Sequence, residues 1–262
     1  MSNQHRFREV DERLLLQSVA RALDVLEVFA HNPKARSLGE IATAAGIHKS
    51  AAQRIGQTLL SRGYLEQSEE GRLTLGRMFL DRSFDYLRSN PLIERAMPVL
   101  TQLRKKADER VDLSLFDAEY DNLSIVHAIR MQSKRESFYA TLAGRRMHTF
   151  MSTGGRACLA LLPDEVVDDI LQRSDRQQVT PKTITDIDGI WDKVREARRT
   201  GYAYAAEEAL LGEVVVAAAV RSSSGVPIGA VHIAGSLSEW SPEGFRERFS
   251  PLALEAAQAL NF

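Results

Sequence analysis

Between Ser37 and Leu75 the chain is punctuated at intervals that suit only short helices followed by a hairpin. Ser37 and Glu40 match the capping box, in which each side chain satisfies a free backbone N–H at a helix start. The helix they open runs from Leu38 to Ala45 and stops at Gly46. The next runs from about His48 to Arg62 and ends at Gly63. Two extended pieces follow, Tyr64-Leu65-Glu66 and Arg72-Leu73-Thr74-Leu75, with Glu69-Glu70-Gly71 as the turn between them. Upstream, Val19, Ala22, Leu23, Leu26 and Phe29 recur at helical spacing, with Ser18 placed to cap the first turn and Asn32-Pro33 placed to end the helix. Helix, short helix, glycine turn, helix and β-hairpin is the order of a winged helix-turn-helix, expected over residues 14–75. The segment before it, Met1 to Arg13, is polar and mixed in charge, has no apolar core of a signal peptide, and reads as a flexible tail.

The third helix carries the chemistry. From Ile41 to Leu65 there is no Asp or Glu in 25 residues, although the whole chain has 35 acids. The same window holds His48, Lys49, Arg54 and Arg62. Ala51, Ile55 and Leu59 fall on one helical stripe, expected to pack on the first helix. Ser50, Gln53, Arg54 and Gln57 fall on another, a row of hydrogen-bond donors with no carboxylate to repel phosphate. Arg and Gln can read guanine and adenine edges in the major groove, while Lys49 and Ser50 can hold phosphates. Arg72 at the hairpin and Arg21 on the first helix are placed to reach the flanking backbone. A single such residue is as easily an ordinary solvated side chain; the set, in this order of elements, points to double-stranded DNA.

Residues 76–89 read as a connecting helix, broken at Ser89-Asn90-Pro91, which sets a linker at 76–90 and a second domain at 91–262. That domain mixes structure types. Helices are expected at Leu92–Ala107, Gly154–Leu161, from Pro163-Asp164-Glu165, around Ile187 to Val194 with a stop at Gly201, and from Ser241-Pro242-Glu243, the last kinked or interrupted by Pro251. Strands are expected at Asp112–Phe116, Leu123–Arg130, Ser137–Leu142, Val214–Val220 and Val226–Ala234.

The totals bound the function. A net charge of −1 gives no overall electrostatic pull towards nucleic acid, so any such partner needs a local positive face. One cysteine, Cys158, rules out an intrachain disulfide and fits a reducing cytoplasm, with the thiol expected to be buried and inert. No apolar run is long enough to cross a membrane. The patterns of a nucleophile elbow, a phosphate loop, a zinc protease and a dithiol are all absent, and His5, His31, His48, His127, His148 and His232 are too scattered for a metal site. Neither an enzyme nor a cofactor is therefore expected. An architectural DNA-binding protein without a ligand is disfavoured by a C-terminal domain of more than 170 residues.

The stretches SVARALDVLEVF and SLGEIATAAGIHKSAAQRIGQTLLSRGYLEQSEEGRLTLG resemble the DNA-binding domain of the IclR family of bacterial transcriptional regulators. AGRRMHTFMSTGGRACLALLP and GEVVVAAAVRSSSGVPIGAVHIAGS are similar to that family's effector domain. The resemblance implies an α+β protein, with a GAF/profilin-like effector-binding domain built on an antiparallel sheet behind the winged helix-turn-helix. It implies dimers that pair into tetramers, operator DNA as partner, and repression or activation controlled by a small metabolite, in many members an aromatic or other organic acid. The implied effector site comprises Ser152, Thr153, Gly154 and Gly155 at a helix start, with Ala205, Val215, His232 and Ala234 on strands. His232 is the one polar group among the strand positions, which suggests a partly apolar ligand whose carboxylate meets His232 or the helix start at Gly154; a satisfied core histidine is the equal alternative. Met147 and Phe150 read as core that borders the mouth. The chain departs from the family at Gly56, where an apolar residue is usual and glycine costs roughly 1 kcal/mol of helix stability, and at Ala51 and Ala52, so no base preference carries over.

Overall fold

The computed structural model describes residues 12–30, 33–132 and 143–262, which fall into two compact units, the first ending at Ser89 and the second beginning at Asn90. The strand expected at Ser137–Leu142 lies outside the described residues.

In the first unit the helices are α1 (Gln17–Glu27), α2 (Leu38–Ala44), α3 (Lys49–Ser61) and α4 (Met78–Ser89), with a hairpin of β1 (Leu65–Gln67) and β2 (Leu73–Leu75). The capping box at α2 is formed as expected: Ser37 N donates to Glu40 Oε2 at 2.6 Å and Glu40 N to Ser37 Oγ at 3.3 Å. Gly46 and Gly63 take φ of 63° and 73°, the left-handed turns that end α2 and α3. Two expectations on α1 fail. Its N-cap is Leu16, with no side-chain cap, so Ser18 lies within the first turn. The helix ends at Glu27, before Asn32-Pro33, because Phe29 turns into the core.

Val25, Phe29, Ile41, Leu59, Leu65 and Leu73 form that core. The buried stripe of α3 is Ala52, Gly56 and Leu59, one position on from the expected Ala51, with Ile55 half-buried beside it. The reason is Gly56. A Cβ there would stand 3.2 Å from Leu38 Cδ2 and 3.6 Å from Leu73 Cδ1, so the missing side chain lets α3 settle close against α2 and the hairpin.

Among the described residues, the second unit is built on one six-stranded antiparallel sheet in the order β5-β4-β3-β8-β7-β6, from β3 (Arg110–Leu115), β4 (Ser124–Met131), β5 (Arg146–His148), β6 (Ala203–Ala206), β7 (Glu213–Arg221) and β8 (Pro227–Ser236). Its helices are α5 (Pro91–Ala107), α6 (Thr153–Leu159), α7 (Asp164–Arg173), α8 (Ile187–Thr200) and α9 (Pro242–Leu260). Asn90 caps α5 by accepting from Leu92 N and Ile93 N, with Pro91 in the first turn. The sheet is covered on both faces. Val111, Leu113, Val231, Ile233, Val214 and Val216 are buried on the side of α5 and α9, where Phe245 lies against Gly235. The other face is covered by α6, whose Gly154 packs on Ala230 and His232. The short strands β5 and β6 were not expected: β5, Arg-Met-His, carries no apolar run, and β6, Ala-Tyr-Ala-Ala, is only four residues long. Pro251 does not interrupt α9: Pro251 and Glu247, whose carbonyl loses its helical partner, are both exposed, so water can replace the missing bond.

Candidate functional site

Two sites stand out, one in each unit. In the first, α2, the turn at Gly46 and α3 form the helix-turn-helix. Lys49, Ser50, Gln53, Arg54 and Gln57 are all exposed along α3, and Arg21 is exposed on α1. The face has no carboxylate of its own, since the surrounding window lacks acids. Arg72 is placed differently from the sequence expectation. Its Nη2 donates to Ala35 O at 2.7 Å and pairs with Glu40 Oε2 at 2.9 Å, and its Nε donates to Ala35 O at 3.1 Å. The guanidinium thus fastens the hairpin to the start of α2, with its side chain still 39% exposed. The Ser37 hydrogen bonds and Arg72 together hold the Glu40 carboxyl down to about 2.

In the second unit a cavity of about 190 Å³ opens between the sheet and the start of α6. Its floor is set by strand register. Ala205, Val215, Ala234 and Arg110 pair across four strands in one row, and Ala217, His232, Asp112 and Arg130 in the next. Directly paired residues point to the same face. On β4 the register slips between Leu113 and Ser114, so that Asp112 faces Arg130 while Ser114 faces His127. This bulge brings His127 and Arg130, three residues apart, to one side of a strand where regular alternation would part them.

The polar groups interlock. Asp112 Oδ2 accepts from Arg110 Nε at 3.1 Å and Arg130 Nη2 at 3.2 Å. Arg110 Nη1 pairs with Glu213 Oε1 at 2.7 Å. His232 Nε2 and Ser114 Oγ share a hydrogen bond of 2.8 Å, and the rings of His232 and His127 lie 5.1 Å apart. Burial lowers the pKa of His232 to about 4, and burial with the neighbouring His232 and arginine charges holds His127 well below its ordinary value, so both are neutral at pH 7.

Of the expected effector residues, the cavity brings Ser152, Thr153, Val215 and His232 to its wall. Gly154 and Gly155 stand behind it as packing glycines: a Cβ on Gly154 would collide with the His232 ring, and one on Gly155 with the Thr149 carbonyl. Gly155 N is already bonded to the Ser152 cap. Ala205 and Ala234 share the floor's row without lining the cavity. Met147 borders the cavity, whereas Phe150 is wholly core. Cys158 is fully buried with its Sγ against Gly229 O, and burial pushes its thiol up, which makes it inert.

The sequence reading missed Arg110, Asp112, His127, Arg130, Arg145 and Glu213, so His232 is far from the lone polar group. The signal was there in Arg110-Val111-Asp112-Leu113-Ser114, whose polar alternation reads as a solvated strand face. Among the described residues, no helix is long and apolar enough to cross a membrane, and no group of three or more His, Cys, Asp or Glu is set to hold a metal ion.

A winged helix-turn-helix with a carboxylate-free third helix, joined to a domain with a polar cavity, defines a DNA-binding regulator. The comparisons with known proteins give its kind. The model of the IclR helix-turn-helix domain matches residues 18–69, and that of the bacterial transcriptional regulator IclR C-terminal domain matches residues 84–262. The chain belongs to the IclR family of bacterial transcriptional regulators. It is 26% identical over 250 residues to the transcriptional repressor IclR of Escherichia coli, covering 93% of this chain and 88% of the relative. It is 24% identical to the p-hydroxybenzoate hydroxylase transcriptional activator of Acinetobacter baylyi, covering 99% and 96%. In fold it resembles an IclR homologue from Microbacterium hydrocarbonoxydans solved with 4-hydroxybenzoate, with a TM-score of 0.75, 22% identity and 94% and 98% of the two chains covered.

Proposed function

We propose that this regulator is ligand-responsive, that α3 reads its operator, and that a small organic acid in the C-terminal cavity changes its affinity for DNA. The observation that carries the first part is the exposed face of Lys49, Ser50, Gln53, Arg54 and Gln57, with Arg21 to hand on α1. Gln53, Arg54 and Gln57 take the base edges, and Lys49, Ser50 and Arg21 the phosphates. In this reading residues 14–75 are the DNA-binding domain, 76–90 the linker and 91–262 the effector-binding domain, and the protein works in the cytoplasm.

Self-association belongs to the same reading. Leu16, which caps α1, and Val19 and Leu23 on it are 52–70% exposed, and Leu80 and Phe84 on α4 are 71% and 62% exposed, while no residue of α4 is buried. Apolar faces of this size call for a second copy. A dimer, or a tetramer made of two, sets its third helices on a near-palindromic site with half-site centres about 34 Å apart or a multiple of it. The acid effector is supported by the arginines of the cavity. The 4-hydroxybenzoate bound by the Microbacterium homologue, and the p-hydroxybenzoate hydroxylase that the Acinetobacter relative activates, favour an acid with an apolar body, for which Met147, Leu210 and Val215 offer a wall.

The test is fluorescence-anisotropy binding to the DNA upstream of the protein's own gene at two salt concentrations. Wild type should bind tightly and weaken steeply with salt. Lys49→Ala/Arg54→Ala should bind at least tenfold more weakly, with a salt slope lower by about one for each phosphate it no longer neutralises. Equal binding by the two proteins refutes the assignment of α3.

A further inference from the structure

Among the described residues, three of the most deeply buried groups around the cavity are left with at least one polar atom unsatisfied. Arg130 has a side chain only 2% exposed, and while Nη2 is paired with Asp112, its Nε and Nη1 are buried without a partner. Asp112 is 1% exposed; its Oδ2 takes two guanidinium groups and its Oδ1 takes none. His127 Nδ1 is unpartnered as well. Folded proteins leave few buried polar atoms unpaired, and a cluster around one cavity marks where a bound molecule supplies the missing partners.

What is missing defines the molecule. The Arg130 donors call for an anion. Arg145, exposed at the mouth and close enough for its charge to repel that of Arg130, has no ion-pair partner among the described residues. Around the cavity three guanidinium groups, those of Arg110, Arg130 and Arg145, face the two carboxylates of Asp112 and Glu213. Arg110 is held by both acids, so the surplus of one positive charge rests on Arg130 and Arg145. One carboxylate balances it. A second would enter a partly desolvated site with nothing to neutralise it. Asp112 Oδ1, an acceptor, calls for a donor. That donor cannot carry a positive charge, because Arg110 and Arg130 already converge on the other oxygen of the same carboxylate. A hydroxyl satisfies this condition and an ammonium does not. Met147, Ala209, Leu210 and Val215 give the cavity an apolar wall for the carbon skeleton.

Resting on the reading of this cavity as the effector site, we infer that it selects a hydroxylated monocarboxylate, held by Arg130 and Arg145 at its carboxylate and by Asp112 Oδ1 at its hydroxyl, and that it rejects dicarboxylates and amino acids. The carboxylate therefore binds to side chains of β4 and of the segment before β5.

Titration calorimetry on the full chain at pH 7 tests this with matched probes: 3-hydroxybenzoate against benzoate, mandelate against phenylacetate and against 2-phenylglycine, and lactate against propionate and against malate. A hydrogen bond to a charged partner is expected to make the hydroxy acid bind about ten- to a hundredfold tighter than its deoxy partner in at least one pair. Malate and 2-phenylglycine should not bind. Arg145→Gln, at an exposed position that leaves the fold intact, should weaken both members of the binding pair by tenfold or more and keep their ratio. Asp112→Asn should abolish the ratio; if that variant does not fold, the wild-type ratio and Arg145→Gln still decide. Failure of every hydroxy acid to bind, equal binding by the deoxy partner, or a ratio that survives in folded Asp112→Asn overturns the inference. Operator binding by wild type, measured separately, is untouched by any of these results, so its failure alone would count against the underlying regulator reading.

Discussion

Replacing Arg156 by Met should destabilise the C-terminal unit more than any surface change can. Arg156 is fully buried, and its Nη1 and Nη2 pair with the two carboxylate oxygens of Glu208 at 2.9 and 2.7 Å. Its Nε also donates to Phe150 O at 2.7 Å. With the guanidinium gone, the Glu208 carboxylate, 5% exposed, stays buried and unbalanced. Removing one partner of such a pair costs about 3–5 kcal/mol, whereas exchanging both partners for apolar groups of similar volume is close to neutral. Arg156→Met/Glu208→Leu should therefore recover at least about 2 kcal/mol of the loss. Both tryptophans, Trp191 and Trp240, lie in this unit, so intrinsic fluorescence in urea follows it alone. With a denaturant slope of about 2 kcal/mol/M, the midpoint of Arg156→Met should fall by about 1.5–2.5 M. A fall worth less than about 1 kcal/mol, or a double variant as unstable as the sum of the two singles, would refute the account of a buried pair whose members exist for each other. The consequence reaches the cavity, because Ala209 and Leu210, which follow Glu208 in the chain, form part of its wall.

Arg72→Ala should destabilise the wing by about 1–2 kcal/mol, seen as faster hydrogen exchange at Leu73, and should leave the salt slope of operator binding unchanged; a slope lower by about one would instead make Arg72 a phosphate ligand. For pH, His232 is held at about 4 by burial against an ordinary 6.5. Between these values the unfolded chain binds a proton that the folded one refuses, so stability is full above about pH 6.5 and falls as pH drops towards 4, by on the order of 3 kcal/mol, with His127 adding in the same direction. Urea midpoints at pH 7.5, 5.5 and 4.5 check this, and His232→Asn should flatten the profile.

The helix-turn-helix was legible because its signals act over a few residues. The Ser37–Glu40 box, the glycine stops at Gly46 and Gly63 and the turn at Gly71 are satisfied within one turn of chain, whatever surrounds them. Misreadings there came from contacts between elements. The stripe of α3 turned by one position because Leu38 and Leu73 press on Gly56. The bonds of Arg72 to Ala35 and Glu40, more than thirty residues away, were likewise out of reach of any local pattern.

The cavity shows the other limit. Arg110, Asp112 and Ser114 alternate with apolar residues as they would on a strand with one wet face, and local pattern alone places that face in water. The tertiary structure lays α6 on the same side of the sheet, over β7 and β8, and turns a solvent face into a largely buried polar site.

By itself, then, the sequence determined the elements with their own caps and turns, the acid-free third helix and the family. Only the tertiary structure decided which charges would be buried together. It did so through the register of β3 on β8 and the bulge that turns His127 and Arg130 to the same side, and neither is written in any local stretch of the chain. The physical reason is range: caps and turns are satisfied by neighbours in sequence, whereas a buried charge is tolerated only beside partners that the fold brings from more than a hundred residues away, as it does for Arg110 and Glu213.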